Sequence, residues 1–222
     1  MNLFTTLNPA ADPAALYIIW SGANDYLGGG QQNPAIPVSN LSTAIQSLVG
    51  VGAKTILVAN QPDLGKLPGA IGNPPASAGL TALSGAHNSF LAQTLSLLSL
   101  PLSASGVNLI PLDINALFND TLTNPAKYGF TNTTQSCIFP PPLLNPGVIP
   151  TVCENPDEYV FWDDIHPTTA THAFIGEFAF ETVSSSQAIP EPSAVAGLFV
   201  AGAFLSLSAL RRNRQKAVKI EI

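Results

Sequence analysis

Residues 15–25 read ALYIIWSGAND, and this stretch decides the fold class. From Ala15 to Trp20 the side chains are apolar without alternation, which predicts a strand buried on both faces. A small polar cluster, Ser21-Gly22-Ala23-Asn24-Asp25, follows at once. In an open parallel sheet, ligands bind beyond the carboxyl ends of the strands, so this cluster is placed for chemistry. Gly22 permits a tight turn, and Asn24 carries an amide that can donate to a developing oxyanion. Gly, Asn and Asp are also common turn formers, so a plain turn is the alternative reading.

Outward from this stretch the pattern alternates. KTILVA at 54–59 and VNLIPL at 107–112 read as two further buried strands. Helical spacing runs over 39–50, with Ser39 or Asn40 as cap and Gly50 as stop, and again over 80–100, 113–118 and 168–183. Residues 121–156, rich in Pro and Asn, read as a loop. Strands alternating with helices, the strands being buried throughout, predict an α/β domain with a parallel sheet.

A second motif, FWDDIHPT, occupies 161–168. Asp163 and His166 stand three apart, which on a turn or first helical turn brings the carboxylate beside the imidazole. A carboxylate bonded to one ring nitrogen fixes the tautomer and leaves the other nitrogen to act as base. Asp164 is the alternative carboxylate, two residues from His166 and facing elsewhere. A helix entry with a capping Asp and an exposed His is the plainer reading.

Hydrophobic residues make up 46 % of the 222, and charged ones only 10 %. That is well below the roughly 25 % typical of soluble domains. Up to residue 189 the chain carries three basic residues, Lys54, Lys66 and Lys127, against twelve acidic ones. Such a body repels a phosphate backbone, which excludes nucleic acid as the expected partner. No metal-ligand spacing, phosphate loop or dinucleotide fingerprint is present, so no cofactor is expected. The two cysteines, Cys137 and Cys153, lie close together in the Pro-rich segment. They suit a local disulfide in an oxidising compartment, with two free thiols as the alternative.

The carboxy end changes character. Pro190-Glu191-Pro192 is followed by an uncharged stretch, residues 193–210, and then by Arg211 and Arg212. Eighteen residues are near the lower limit for crossing a bilayer, and the basic cluster would hold the end on the cytoplasmic side. The three-part arrangement resembles the PEP-CTERM sorting signal of bacteria. That resemblance implies export, membrane insertion through 193–210, and cleavage near the motif by an exosortase-type protease. The amino end, by contrast, shows no basic region followed by an apolar core and cleavage site. The expectation is a chain that begins inside its domain.

Together, Gly22-Ala23-Asn24-Asp25 and Asp163-Asp164-Ile165-His166-Pro167 resemble the third and fifth conserved blocks of the SGNH/GDSL hydrolases, in the lipase and phospholipase-like branch. The resemblance spans about Asn8 to Val183. It implies a flavodoxin-like three-layer α/β sandwich and hydrolysis of ester or lipid substrates through an acyl-enzyme. It also implies roles: His166 as general base, Asp163 as its orienting carboxylate, Asn24 as oxyanion donor, and Gly22 and Asp25 as supports of that loop. The family's nucleophile lies in a Gly-Asp-Ser block upstream, and no such block occurs here. The first strands of the fold are therefore expected to be missing, leaving the strand at 16–20 without a neighbour and its apolar side chains exposed. The expected organisation is a partial hydrolase domain over 1–187, a sorting signal over 188–216 and a short tail over 217–222. The alternatives in function are a non-catalytic surface remnant and a carbohydrate acetylesterase or acyltransferase.

Three other residues receive plainer expectations. His87 is read as a surface residue or substrate-side contact, and His172 as structural, a face away from His166. Ser21 is a poor nucleophile without a base positioned for it. The segment Cys137-Ile138-Phe139-Pro140 suits a lid, an acyl-binding wall or a pinned insertion.

Overall fold

The computed structural model describes residues 2–140 and 147–186. The expected sorting signal and membrane segment lie outside the described residues. Among those described, no helix is long and apolar enough to cross a membrane.

The chain runs α1 (Asn2–Leu7), β1 (Leu16–Ile19), α2 (Ala23–Leu27), α3 (Ala35–Gly50), β2 (Thr55–Ala59), α4 (Pro68–Ile71), α5 (Pro74–Ala104), β3 (Asn108–Leu112) and α6 (Ile114–Thr123). It continues through β4 (Asn132–Ser136), β5 (Ile138–Phe139), β6 (Thr151–Val152), β7 (Tyr159–Phe161) and α7 (Thr169–Ser186). The three expected strands form one parallel sheet in the order β1-β2-β3, with Ile18 beside Leu57 and Leu57 beside Ile110. β2 is central, and Ile56 and Leu57 are fully buried on opposite faces. Burying such a side chain contributes about 1.5–3 kcal/mol.

Alternation along β2 divides the core into two layers. Ile56 and Val58 pack with Leu41 and Ile45 of α3 and Leu91 and Leu95 of α5. Leu57 and Ala59 pack with Phe118 of α6 and Ile175 of α7. The result is the expected helix–sheet–helix sandwich. Among the described residues β1 pairs only with β2, and its Leu16 and Ile18 are exposed, Ile18 by 61 %.

Several boundaries differ from expectation. α3 starts at Ala35, not at Ser39, because Asn33 caps the Ala35 N–H and Pro34 and Pro37 sit where helical N–H groups lack partners anyway. α5 is a full 31 residues, opened by Asn73 as cap with Pro74 and Pro75 in its first turn. It passes through Pro101 without ending. The hydrogen bond lost there falls on the carbonyl of Leu97, an exposed residue that water can satisfy. The segment 121–156 is not wholly a loop. β4 pairs in parallel with β7, and β5 pairs antiparallel with β6.

Candidate active site

The polar ends of the three parallel strands converge. β1 ends in Ser21-Gly22, β2 in Asn60-Gln61, and β3 in Asp113. Gly22 has φ of +119°, a conformation side-chain-bearing residues rarely adopt, and it turns the chain straight into α2. That turn delivers Asn24, exposed, to the wall of a cavity of about 280 Å³. The cavity is lined by Trp20, Gly22, Asn24 and Gln61 together with His166 and Pro167. Leu27, Leu64, Leu67 and Phe118 supply apolar lining.

His166 arrives on a tight turn between β7 and α7. Trp162 N–H donates to His166 O (2.8 Å), closing that turn. Thr168 Oγ1 donates to the carbonyl of Tyr159 (2.7 Å) and accepts from Thr171 N–H (3.3 Å), fastening the start of α7 to the strand. Inside the turn, Asp163 Oδ1 accepts the backbone N–H groups of Ile165 (2.9 Å) and His166 (2.7 Å). The same carboxylate lies 2.8 Å, through Oδ2, from His166 Nδ1. The pairing expected from the three-residue spacing is therefore formed, on a turn. His166 Nε2 has no hydrogen-bond partner among the described residues, and His166 is one of the residues that line the cavity.

Burial of Asp163 raises its pKa, but the bonds from Ile165 N–H, the His166 ring and His166 N–H together outweigh burial. Its carboxyl is held below the usual carboxylate range. Asp164 faces away: Oδ1 accepts from Ser136 Oγ (2.8 Å), and its carbonyl accepts from Gly69 N–H (3.0 Å). Asp164 thus tethers the turn from outside. Asp25 is exposed and does not line the cavity; its backbone carbonyl, not its carboxylate, ties the loop by accepting Gln31 N–H (2.8 Å).

Cys137 and Cys153 form a disulfide, Cα to Cα 4.9 Å. Cys137 N–H donates to Phe161 O (3.0 Å) and Ile138 N–H to Trp162 O (2.8 Å), so the pinned hairpin β5–β6 is bonded to the chain leading into Asp163. Ser21 lines the cavity, but its Oγ makes no hydrogen bond among the described residues, to His166 or otherwise.

Two histidines sit elsewhere than expected. His172, read as structural, is exposed and lines the same cavity as His166. His87, read as a surface or substrate-side residue, is fully buried, with its Nδ1 2.8 Å from Tyr26 Oη. Burial pushes the His87 imidazole pKa down, partly offset by the charge of Asp25, and pushes the Tyr26 phenol up to about 12, with Asp25 adding to the rise. Gln61 was not singled out by sequence reasoning. Its position directly after a buried parallel strand, like that of Ser21-Gly22, is the signal that marks it.

The sequence profile of the GDSL-like lipases and acylhydrolases matches residues 2–179 of this chain. A GDSL esterase/lipase of Arabidopsis thaliana is 30 % identical over 186 residues, covering 73 % of this chain and 50 % of the relative. The esterase EstA of Pseudomonas aeruginosa is 30 % identical over 187 residues, covering 79 % of this chain and 27 % of the relative. A phosphatidylcholine-sterol acyltransferase of Aeromonas hydrophila is 28 % identical over 214 residues, covering 78 % of this chain and 62 % of the relative. The chain thus spans between about a quarter and three-fifths of the length of these relatives.

Proposed function

The chain belongs to the family of GDSL-like lipases and acylhydrolases, which at family level are ester hydrolases, and we propose that it carries the acid–base and oxyanion part of a carboxylic-ester hydrolase site. The observation that carries this reading is the Asp163–His166 pair, bonded at 2.8 Å, whose His166 lines a cavity that Asn24 also lines.

In this mechanism His166 Nε2 takes the proton of a serine hydroxyl as the serine oxygen attacks the ester carbonyl. Asp163 holds the imidazole in the right tautomer and stabilises the imidazolium that forms. The tetrahedral oxyanion is met by the Asn24 side-chain amide and the backbone at Gly22. Collapse expels the alcohol, which takes its proton from His166, and water then cleaves the acyl-enzyme by the same exchange. No cofactor enters any step.

The serine is the element we do not assign within these residues: no hydroxyl hydrogen-bonds His166 among those described. The protein is further proposed to be exported and surface-sorted, with a membrane segment over 193–210 and an exosortase-type protease as partner. The motif at 190–192 and the disulfide, which suits an oxidising compartment, both support this. The likeness to an acyltransferase keeps transfer to an alcohol as a second reading, which product analysis separates from hydrolysis.

p-Nitrophenyl ester turnover tests the proposal, measured for this chain and for the chain fused to the Gly-Asp-Ser block of a GDSL relative, each with His166→Ala. Turnover is expected in the fused chain and is lost in the variant. Absence of turnover in both would favour a non-catalytic protein that keeps the fold. His166-dependent turnover by the chain alone would assign the nucleophile to a serine within these residues.

A further inference from the structure

Beneath the Gly22–Asn24 loop lies a set of polar side chains that the reaction does not use. Tyr26, on α2 and 5 % exposed, meets His87 of α5, fully buried, at 2.8 Å from Oη to Nδ1. The two rings stand edge to face, centroids 5.7 Å apart. Gln61, 1 % exposed, donates from Nε2 to the carbonyl of Ser21 at 2.7 Å. Its own N–H and carbonyl are both taken by the Asn88 side chain, at 2.8 Å each. A Cβ added to Gly22 would lie 3.0 Å from His87 Cε1 and 3.2 Å from Gln61 Nε2. The loop therefore rests directly on the imidazole and the carboxamide.

Hydrogen-bond accounting selects the tautomer. Tyr26 Oη has no partner among the described residues other than His87. If the hydroxyl donates to Nδ1, its hydrogen is satisfied and His87 carries its own hydrogen on Nε2. The opposite tautomer would leave a buried hydroxyl hydrogen unpaired in addition to Nε2, which already lacks a partner.

We infer that His87, Tyr26 and Gln61 are positioning residues for the Gly22–Asn24 loop: His87, neutral with its hydrogen on Nε2, anchors Tyr26 and hence the helix that bears Asn24, while Gln61 anchors Ser21. A neutral pair suits this place. A charge on either buried side chain would be desolvated, whereas two neutral dipoles hold geometry without that cost. The role of the loop rests on the ester-hydrolase reading; the platform itself does not.

The experiment is NMR on the labelled chain, which needs no turnover and so succeeds or fails independently of that reading. Long-range proton–nitrogen spectra of the three histidines are expected to show His87 as the neutral Nε2–H tautomer at neutral pH. An Nδ1–H tautomer or an imidazolium at His87 would overturn the inference, whatever the variants do. Tyr26→Phe and His87→Leu are expected to shift the Asn24 carboxamide signals. They should also speed exchange of the Gly28 and Gly29 amides, both bonded to Asn24 O, by roughly tenfold. His87→Gln, which retains an acceptor for Tyr26, is expected to restore the wild-type positions. Leu48→Ala, a cavity in the opposite layer, controls for general destabilisation and should leave Asn24 unmoved. If Leu48→Ala moves Asn24 as much as Tyr26→Phe does, the platform is ordinary core.

Discussion

Asp163 holds His166 at two points: Oδ1 accepts its backbone N–H at 2.7 Å, and Oδ2 lies 2.8 Å from its Nδ1. One carboxylate thus shapes the turn and orients the ring it presents to the cavity.

That double use makes the acid limb of stability informative. Asp163 is held below the usual carboxylate range, and Asp120, bonded by Lys127, Tyr128 and Asn124, is held at about 2. Both bind protons less tightly folded than unfolded. Their stabilisation is therefore complete above about pH 4 and is lost as pH falls through the folded values. Urea midpoints measured down the acid range should fall for the wild type and fall less steeply for Asp120→Asn and for Asp163→Asn. An unchanged slope in both variants would assign the acid sensitivity elsewhere.

Glycine substitutions separate strain at the site from strain in the scaffold. Gly22→Ala combines φ of +119° with a contact of 3.0 Å to His87, and is expected to cost about 1–3 kcal/mol. Gly65→Ala would place its Cβ 2.1 Å from Ser77 O and 2.2 Å from Thr81 Oγ1, so about 3 kcal/mol or more is expected without displacement of the Gly22–Asn24 loop. Urea denaturation gives both values, and chemical shifts at Asn24 should move for the first substitution only.

The three parallel strands and both polar motifs were legible because each is continuous in sequence, although only TILVA has the continuous burial its apolar run predicts, LYII leaving Leu16 and Ile18 exposed. The small sheets were not. β4 is NTTQS, polar and without an apolar face, and β5 and β6 are two residues each, so pairing partners rather than pattern define them. His87 was misread for a related reason. Its burial depends on Tyr26, 61 residues away, and a lone histidine on a helix carries no trace of that partner.

The Cys137–Cys153 bond closes a segment of 16 residues, and a loop of that size is expected to stabilise the fold by about 3 kcal/mol. Intact mass should rise by two hydrogens on reduction, and the reduced chain or Cys137→Ser should unfold at lower urea. Because the hairpin is bonded to Phe161 and Trp162, reduction should also perturb the His166 signals. No mass change would refute the bond.

The central claim is that Gly22, Asn24 and His166 frame a single site for an acyl group and its oxyanion. Titration with butyrate, a carboxylate that an ester hydrolase of this kind would release, tests it most directly by NMR. Signals of Gly22, Asn24 and His166 are expected to shift together along one saturable curve, with apolar contacts at Phe118, and to weaken in His166→Ala. Saturable shifts confined to other surfaces, or no shift at these three residues, would contradict it.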